Sequence, residues 1–257
     1  MGLLRQHWVT LLFLFAMAPF SMGCGTGGYN EKMETRTKQL KRQAPFTQLN
    51  APTEIPNTSV KIGIPKILTR FLTVDTEDPS SPTGKINPER VKLSMLKIPG
   101  SFCAYDAEAE MPESRKATMA CQIAVIPVTA PEAAALPALL TAGMGMVFPG
   151  KAAAFEETEV DTPEDTKIAW KKLQVEGDLL YDVKDSGGTS EMKKIPAVVE
   201  VWWHEGKHYH TLLIWRAPKE VDEKVKLMEL APIAAGTLTE AAPPEPAKPE
   251  AGAPKAG

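Results

Sequence analysis

The stretch from Ile168 to Trp215 constrains the fold more than any other part of the chain. Ile168 to Val175 and Asp178 to Val183 read as strands on either side of Gly177, and Asp185-Ser186-Gly187-Gly188 reads as a turn. Ala197 to His204 and Tyr209 to Trp215 follow as two apolar strands, parted by a short segment containing Glu205, Gly206 and Lys207. That is the syntax of a β-hairpin. So short a connection joins antiparallel neighbours, because a parallel crossover needs about a dozen residues. Lys219 to Leu230 then predicts a closing helix with Val221, Val225 and Met228 on its inward face.

Upstream, Val60, Ile62 and Ile64 alternate with Lys61 and Gly63, as do Met119, Cys121, Ile123 and Val125 with their neighbours. Both patterns have the period of a half-buried strand. Asn87-Pro88-Glu89 predicts a helix start, and Thr129-Ala130-Pro131-Glu132 predicts a capping box before an Ala/Leu-rich helix that Pro137 weakens. Glu156 to Asp165 carries six carboxylates and no base, and reads as an acidic loop. Many antiparallel strands with few helices imply an α+β class, with one antiparallel sheet covered by helices on one face. Residues 59–239 are expected to form a single domain.

The two ends read differently. Met1 to His7 carries Arg5 and no acid, Trp8 to Phe20 is a 13-residue apolar run, and Ser21-Met22-Gly23-Cys24 follows. A basic start, a short apolar stretch and small residues make residues 1–23 an export signal. A 13-residue helix rises about 20 Å, short of the ~30 Å hydrocarbon core. Residues 24–58 read as a tether and spacer, with Gly25 to Gly28 flexible and Tyr29 to Gln43 polar and helix-prone. From Glu31 to Arg42 five basic residues face two acids, which suits either a solvated spacer or a helix against anionic headgroups. Residues 240–257 hold 13 Ala, Pro or Gly out of 18 and predict a disordered tail.

Cys24 after Gly23 resembles the lipobox of bacterial lipoproteins, although Ser21 stands where that family usually has Leu. The resemblance implies lipidation at Cys24, export, and a cell-envelope protein held to a membrane by its N-terminal lipid. The strand, strand, hairpin and helix between Trp170 and Leu230 resemble the C-terminal half of the PsbP-type α/β/α sandwich. With Lys97-Ile98-Pro99-Gly100 and the Pro-rich spacer, the chain is also similar to envelope lipoproteins of planctomycete-type bacteria. These resemblances imply a fold and an accessory or binding role, and carry over no catalytic residue.

Outside the cytoplasm, Cys103 and Cys121 can pair. They sit in consecutive strand-like runs, so a disulfide and two buried free thiols both remain open. His204-Glu205-Gly206-Lys207-His208 matches H-E-x-x-H, but zinc proteases need that motif on a helix, and here strands flank it and Gly206 favours a turn. A milder reading sets His204, His208 and His210 together at a hairpin tip as ligands for Zn²⁺ or Cu²⁺. The plainer alternative is a solvated outer face bearing Glu200, His204, His208 and His210, with Val199, Val201, Leu213 and Trp215 facing the core; Trp202 lies on the histidine side, where partial burial under the last helix is expected over an exposed binding patch. The formal charge of -3 and the lack of a basic stripe argue against a nucleic-acid partner. Serine-nucleophile, phosphate-loop and calcium-loop motifs are missing from the sequence. The expectation is a non-enzymatic binding or assembly accessory without a cofactor, and the alternative a periplasmic metal-binding protein or metalloenzyme using the histidine cluster at the hairpin tip.

Overall fold

The apolar runs pair as antiparallel neighbours throughout a computed structural model of the chain, which describes residues 26–73, 98, 101–151 and 154–243. The export signal, Cys24, the helix expected at Asn87 and the tail from Pro244 onward lie outside the described residues. Contacts divide the chain into two units, Met1–Pro45 and Phe46–Gly257. In the first, helix α1 (Thr26–Gln43) places Lys41 and Arg42 in its last turn, where positive charge complements the helix dipole. Tyr29, Met33 and Leu40 on this helix are exposed.

The second unit holds the core. A short sheet joins β1 (Thr53–Glu54), β2 (Val60–Ile62) and β10 (Thr239–Glu240), with β2 in the middle. Leu49 and Ile55 are buried, so the fold takes in chain that the sequence assigned to the spacer. A larger sheet has the order β3-β4-β5-β9-β8-β7-β6. Its strands are β3 (Arg70–Thr73), β4 (Ser101–Glu110), β5 (Lys116–Pro127), β6 (Glu156–Asp161), β7 (Lys167–Lys184), β8 (Ser190–Glu205) and β9 (Tyr209–Pro218). Helix α2 (Pro131–Val147) precedes β6, and α3 (Lys219–Val225) and α4 (Leu227–Ala235) follow β9.

The class is α+β, as expected, but the sheet is not covered on one face only. Successive residues of β5, β8 and β9 are buried on both faces. Trp202 and Glu200 are 2 % exposed and Trp215 is fully buried, so Glu200, expected on a solvated face with the histidines, is interior, while His204, His208 and His210 are half-buried. On one side Phe148, just past α2, lies against Gly177: a Cβ there would sit 2.7 Å from the Phe148 ring. Helix α3 packs against β8 and β9, and α4 against β9 and β6.

Several local expectations are corrected. The acidic segment from Glu156 forms edge strand β6, because Glu156 and Glu157 lie opposite Lys172 and Lys171 of β7, and Lys167 Nζ bonds Glu159 at 2.9 Å. Opposite charges across a strand pair offset the poor strand propensity of glutamate. The two strands around Gly177 are one continuous strand, β7. The capping box is not made: the N-cap of α2 is Ala130, with Pro131 opening the helix. The closing helix breaks at Lys226, which adopts a left-handed conformation (φ 57°, ψ 43°), and Asp222 Oδ1 accepts the Met228 N–H at 3.0 Å to start α4.

The C-terminal strand also clasps the β8–β9 turn. Glu240 Oε1 accepts the backbone N–H groups of Lys207 (2.6 Å) and His208 (3.3 Å). Glu240→Ala is expected to lower stability by about 1–2 kcal/mol, since bonds to a charged acceptor are lost. Glu240→Gln keeps an acceptor and should lose less. Denaturant unfolding of the two variants checks this, and equal stabilities would show that the clasp contributes nothing.

Candidate functional site

Strand β8 pairs with β9 only as far as Ala197 opposite Pro218. Beyond that point β7 and β8 continue alone as a hairpin arm, from Asp178 opposite Pro196 to Lys184 opposite Ser190. Pro196 and Pro218 stand where the β8–β9 ladder stops, in keeping with residues that have no N–H to donate. The Asp185 carboxylate fixes the arm's turn by accepting the N–H groups of Gly187 (2.9 Å) and Thr189 (2.8 Å), with Gly188 at φ 82°. Past the end of β9 the arm curls back to β5, where Lys116 pairs with Lys184. Between the arm and strands β3, β4 and β5 lies a cleft of about 400 Å³.

The floor of the cleft follows from strand register. Asp106 on β4 and Arg216 on β9 both lie opposite Ala120 of β5, so they share one face with a methyl group between them. Two strand spacings put them about 10 Å apart. Asp106 is 3 % exposed and is held by Arg70, its direct partner on β3, whose Nε donates to Oδ1 at 2.7 Å. Arg216 lies 5.7 Å from the ring centre of Tyr181, which projects from the arm. The Tyr181 hydroxyl and the Arg216 Nε are sealed from solvent and have no hydrogen-bond partner among the described residues. A buried donor left unpaired costs about 1–3 kcal/mol, which marks both groups as unusual.

Burial shapes the titration of these groups. It pushes the Tyr181 phenol up to about 12, against the opposing pull of the Arg216 charge, so the hydroxyl keeps its proton. Burial also lowers Arg216 from its ordinary value, and the nearby Tyr181 and Asp106 oppose that shift. At the rim, the Lys184 ammonium bonds the Glu108 carboxylate, joining the arm to β4, and Arg70 Nη1 lies 3.7 Å from Glu108. The hydrogen bond from Lys184 is the main reason that Glu108 titrates below its usual range. Leu72, Leu180 and Met192 supply apolar walls.

The residues singled out from sequence lie elsewhere. His204 is opposite Thr211 and His210 is opposite Glu205, so the alternation of side chains puts the two imidazoles on opposite faces of the sheet. His204 Nδ1 donates to the Ala169 carbonyl at 2.9 Å and its ring packs beside Trp170. His210 Nδ1 accepts the Trp203 Nε1–H at 3.2 Å, and burial lowers its pKa, so the imidazole is neutral. His208 lies in the turn with its backbone N–H on Glu240. Among the described residues no group of three or more His, Cys, Asp or Glu side chains is placed to hold a metal ion.

Cys103 and Cys121 are buried free thiols. Cys103 lies opposite Ile123 and Cys121 opposite Tyr105, so they are diagonal neighbours on one face rather than a direct pair. Diagonal neighbours stand about 7–8 Å apart, their Cβ atoms somewhat closer, still beyond the ~4 Å Cβ separation that a disulfide requires. Burial raises the Cys103 thiol to about 12 and raises Cys121 as well, so both stay protonated.

Arg216, Tyr181, Asp106 and Arg70 were missed by sequence reasoning. The available signal was apolar residues on the face assigned to solvent: Leu212 and Ile214 alternate with the inward Leu213 and Trp215, and Arg216 continues that second, covered face. No protein-family model matches this sequence, and no curated protein matches it either. Among the described residues no helix is long and apolar enough to cross a membrane.

Proposed function

We propose that this chain is a lipid-anchored cell-envelope protein, exported and attached through Cys24, whose single α+β domain is a non-enzymatic binding or assembly accessory. The observation that carries the binding role is the cleft of about 400 Å³ beneath the β7–β8 arm, with the half-buried Arg216 among its lining residues. Its lining consists of arginine, lysine, carboxylate, tyrosine, threonine and aliphatic groups, while the histidines and cysteines sit in other parts of the sheet. Such a lining suits recognition of a ligand better than bond-making. The sequence Ser21-Met22-Gly23-Cys24 supports the anchor, and the polar helix α1, which follows Cys24 in the chain and belongs to a different unit from the sheets, supports a spacer. The burial of both sheet faces and the order β7, β8, β9, α3 support a PsbP-type sandwich.

Cell fractionation of the full chain tests the anchor. The wild-type protein is expected in the membrane fraction, with a lipid adduct on the peptide beginning at Cys24. Cys24→Ser is expected to release it. A variant that stays with the membrane, or a wild-type N-terminal peptide of unmodified mass, would contradict the proposal.

A further inference from the structure

Helix α1 is polar, yet its residues are sorted by face. Successive residues of an α-helix are turned by about 100°, so Tyr29, Met33 and Leu40 fall within about 40° of one another and form one stripe. All three side chains are exposed. Arg36 and Lys32 border the stripe on one side and Lys41 on the other. Thr37, on the Lys41 side, donates its hydroxyl to the Met33 carbonyl at 2.7 Å and so satisfies its own donor. Glu31 and Glu34, the only acids of the helix, lie on the opposite half with Lys38. Lys32, Arg36 and Lys41 make no ion pair among the described residues. A spacer that had only to stay in solution would gain nothing from this sorting. One residue, Gly25, separates Cys24 from the start of the helix.

We propose that α1 is a membrane-surface helix: it lies flat on an anionic phospholipid bilayer, with Tyr29, Met33 and Leu40 between the headgroups and Lys32, Arg36 and Lys41 on lipid phosphates. This deepens the anchor reading, on which it rests for the nearness of the helix to a bilayer. Long basic side chains suit the border of the stripe, since their stems cover apolar surface while their charges reach the headgroups. Tyrosine suits the depth where apolar and polar layers meet. Each basic residue near an anionic surface raises partitioning by about fivefold. Three charges and three apolar side chains make a reversible contact, which adds to an acyl chain rather than replacing it. Cys24→Ser therefore still leaves washed membranes.

Hydrogen exchange of the full-length protein, reconstituted on phosphatidylcholine vesicles with and without an equimolar share of phosphatidylglycerol, tests the proposal. The α1 amides are expected to exchange at least about tenfold more slowly on the mixed vesicles. That difference should vanish in about 1 M salt, where the Debye length is about 3 Å. Leu40→Glu, on the stripe, is expected to abolish the protection. Lys38→Glu, on the far half, should leave most of it, although it removes a positive charge as well as adding a negative one. Glutamate is a good helix former, so both variants keep the helix. Identical α1 exchange on the two vesicles, protection that persists in high salt, or equal losses in Lys38→Glu and Leu40→Glu would each overturn the proposal. Failure of the anchor is read separately: protein without an acyl chain would leave pure phosphatidylcholine vesicles and still sediment with the mixed ones at low salt.

Discussion

Lys172→Met is expected to destabilise the domain by about 3 kcal/mol, one of the two largest effects foreseen for a single substitution outside the cleft. Glu200 lies on β8, 2 % exposed, in a strand buried on both faces. Its carboxylate is held by the Trp202 Nε1–H at 2.9 Å and by the Lys172 ammonium at 2.8 Å. The same ammonium lies 5.2 Å from the centre of the Trp202 ring, so one cation serves both neighbours. Removing it leaves a buried charge with a single indole donor. Breaking a buried pair from one side costs about 3–5 kcal/mol, and the lower end applies because water can approach where Lys172 is 30 % exposed. The double variant Lys172→Met/Glu200→Leu removes both charges and should recover most of the loss. Urea unfolding of the three proteins measures this. A single variant within about 0.5 kcal/mol of wild type would show that the pair is surface-like in its energetics.

Gly236→Ala is expected to cost about 2–3 kcal/mol through overpacking. Gly236 ends α4 with φ −67°, a conformation that alanine adopts freely. The obstacle is space, because an added Cβ would sit 2.2 Å from the Asp161 carbonyl oxygen. That oxygen belongs to the backbone of β6, so no side-chain rotation relieves the clash, and α4 or the edge strand must shift. Gly145→Ala on α2 is the control: nothing lies within 4 Å of its Cβ, and alanine in a helix is favoured by about 0.5–1 kcal/mol. Thermal unfolding should therefore move in opposite directions for the two variants. If Gly236→Ala melts with the wild type, the α4–β6 contact is looser than its geometry implies.

Legibility in the sequence tracked the range of the interaction. Strands β5, β8 and β9 were readable because apolar runs and Gly206 act within a few residues. Strand β6 was not, since Glu156 to Asp161 looks like a loop until Lys167, Lys171 and Lys172 stand across from it. Glu200 was assigned to a wet surface because alternation tells which residues share a face, and not how many faces are covered. The cleft escaped for the same reason. Arg70, Asp106, Tyr181 and Arg216 span residues 70 to 216, and only the pairing of β3, β4, β5 and β9, with the arm curling back to Lys116, gathers them.

The sequence by itself determined the α+β class, the antiparallel hairpins and the helix after Pro218, all written in neighbouring residues. Register was decided only by the tertiary structure. It set His204 and His210 on opposite faces, left Cys103 and Cys121 diagonal and unbonded, and put Arg216 beside Tyr181. Strand side chains repeat every two residues, so one residue of register turns a side chain from one face to the other, and long-range packing fixes that choice.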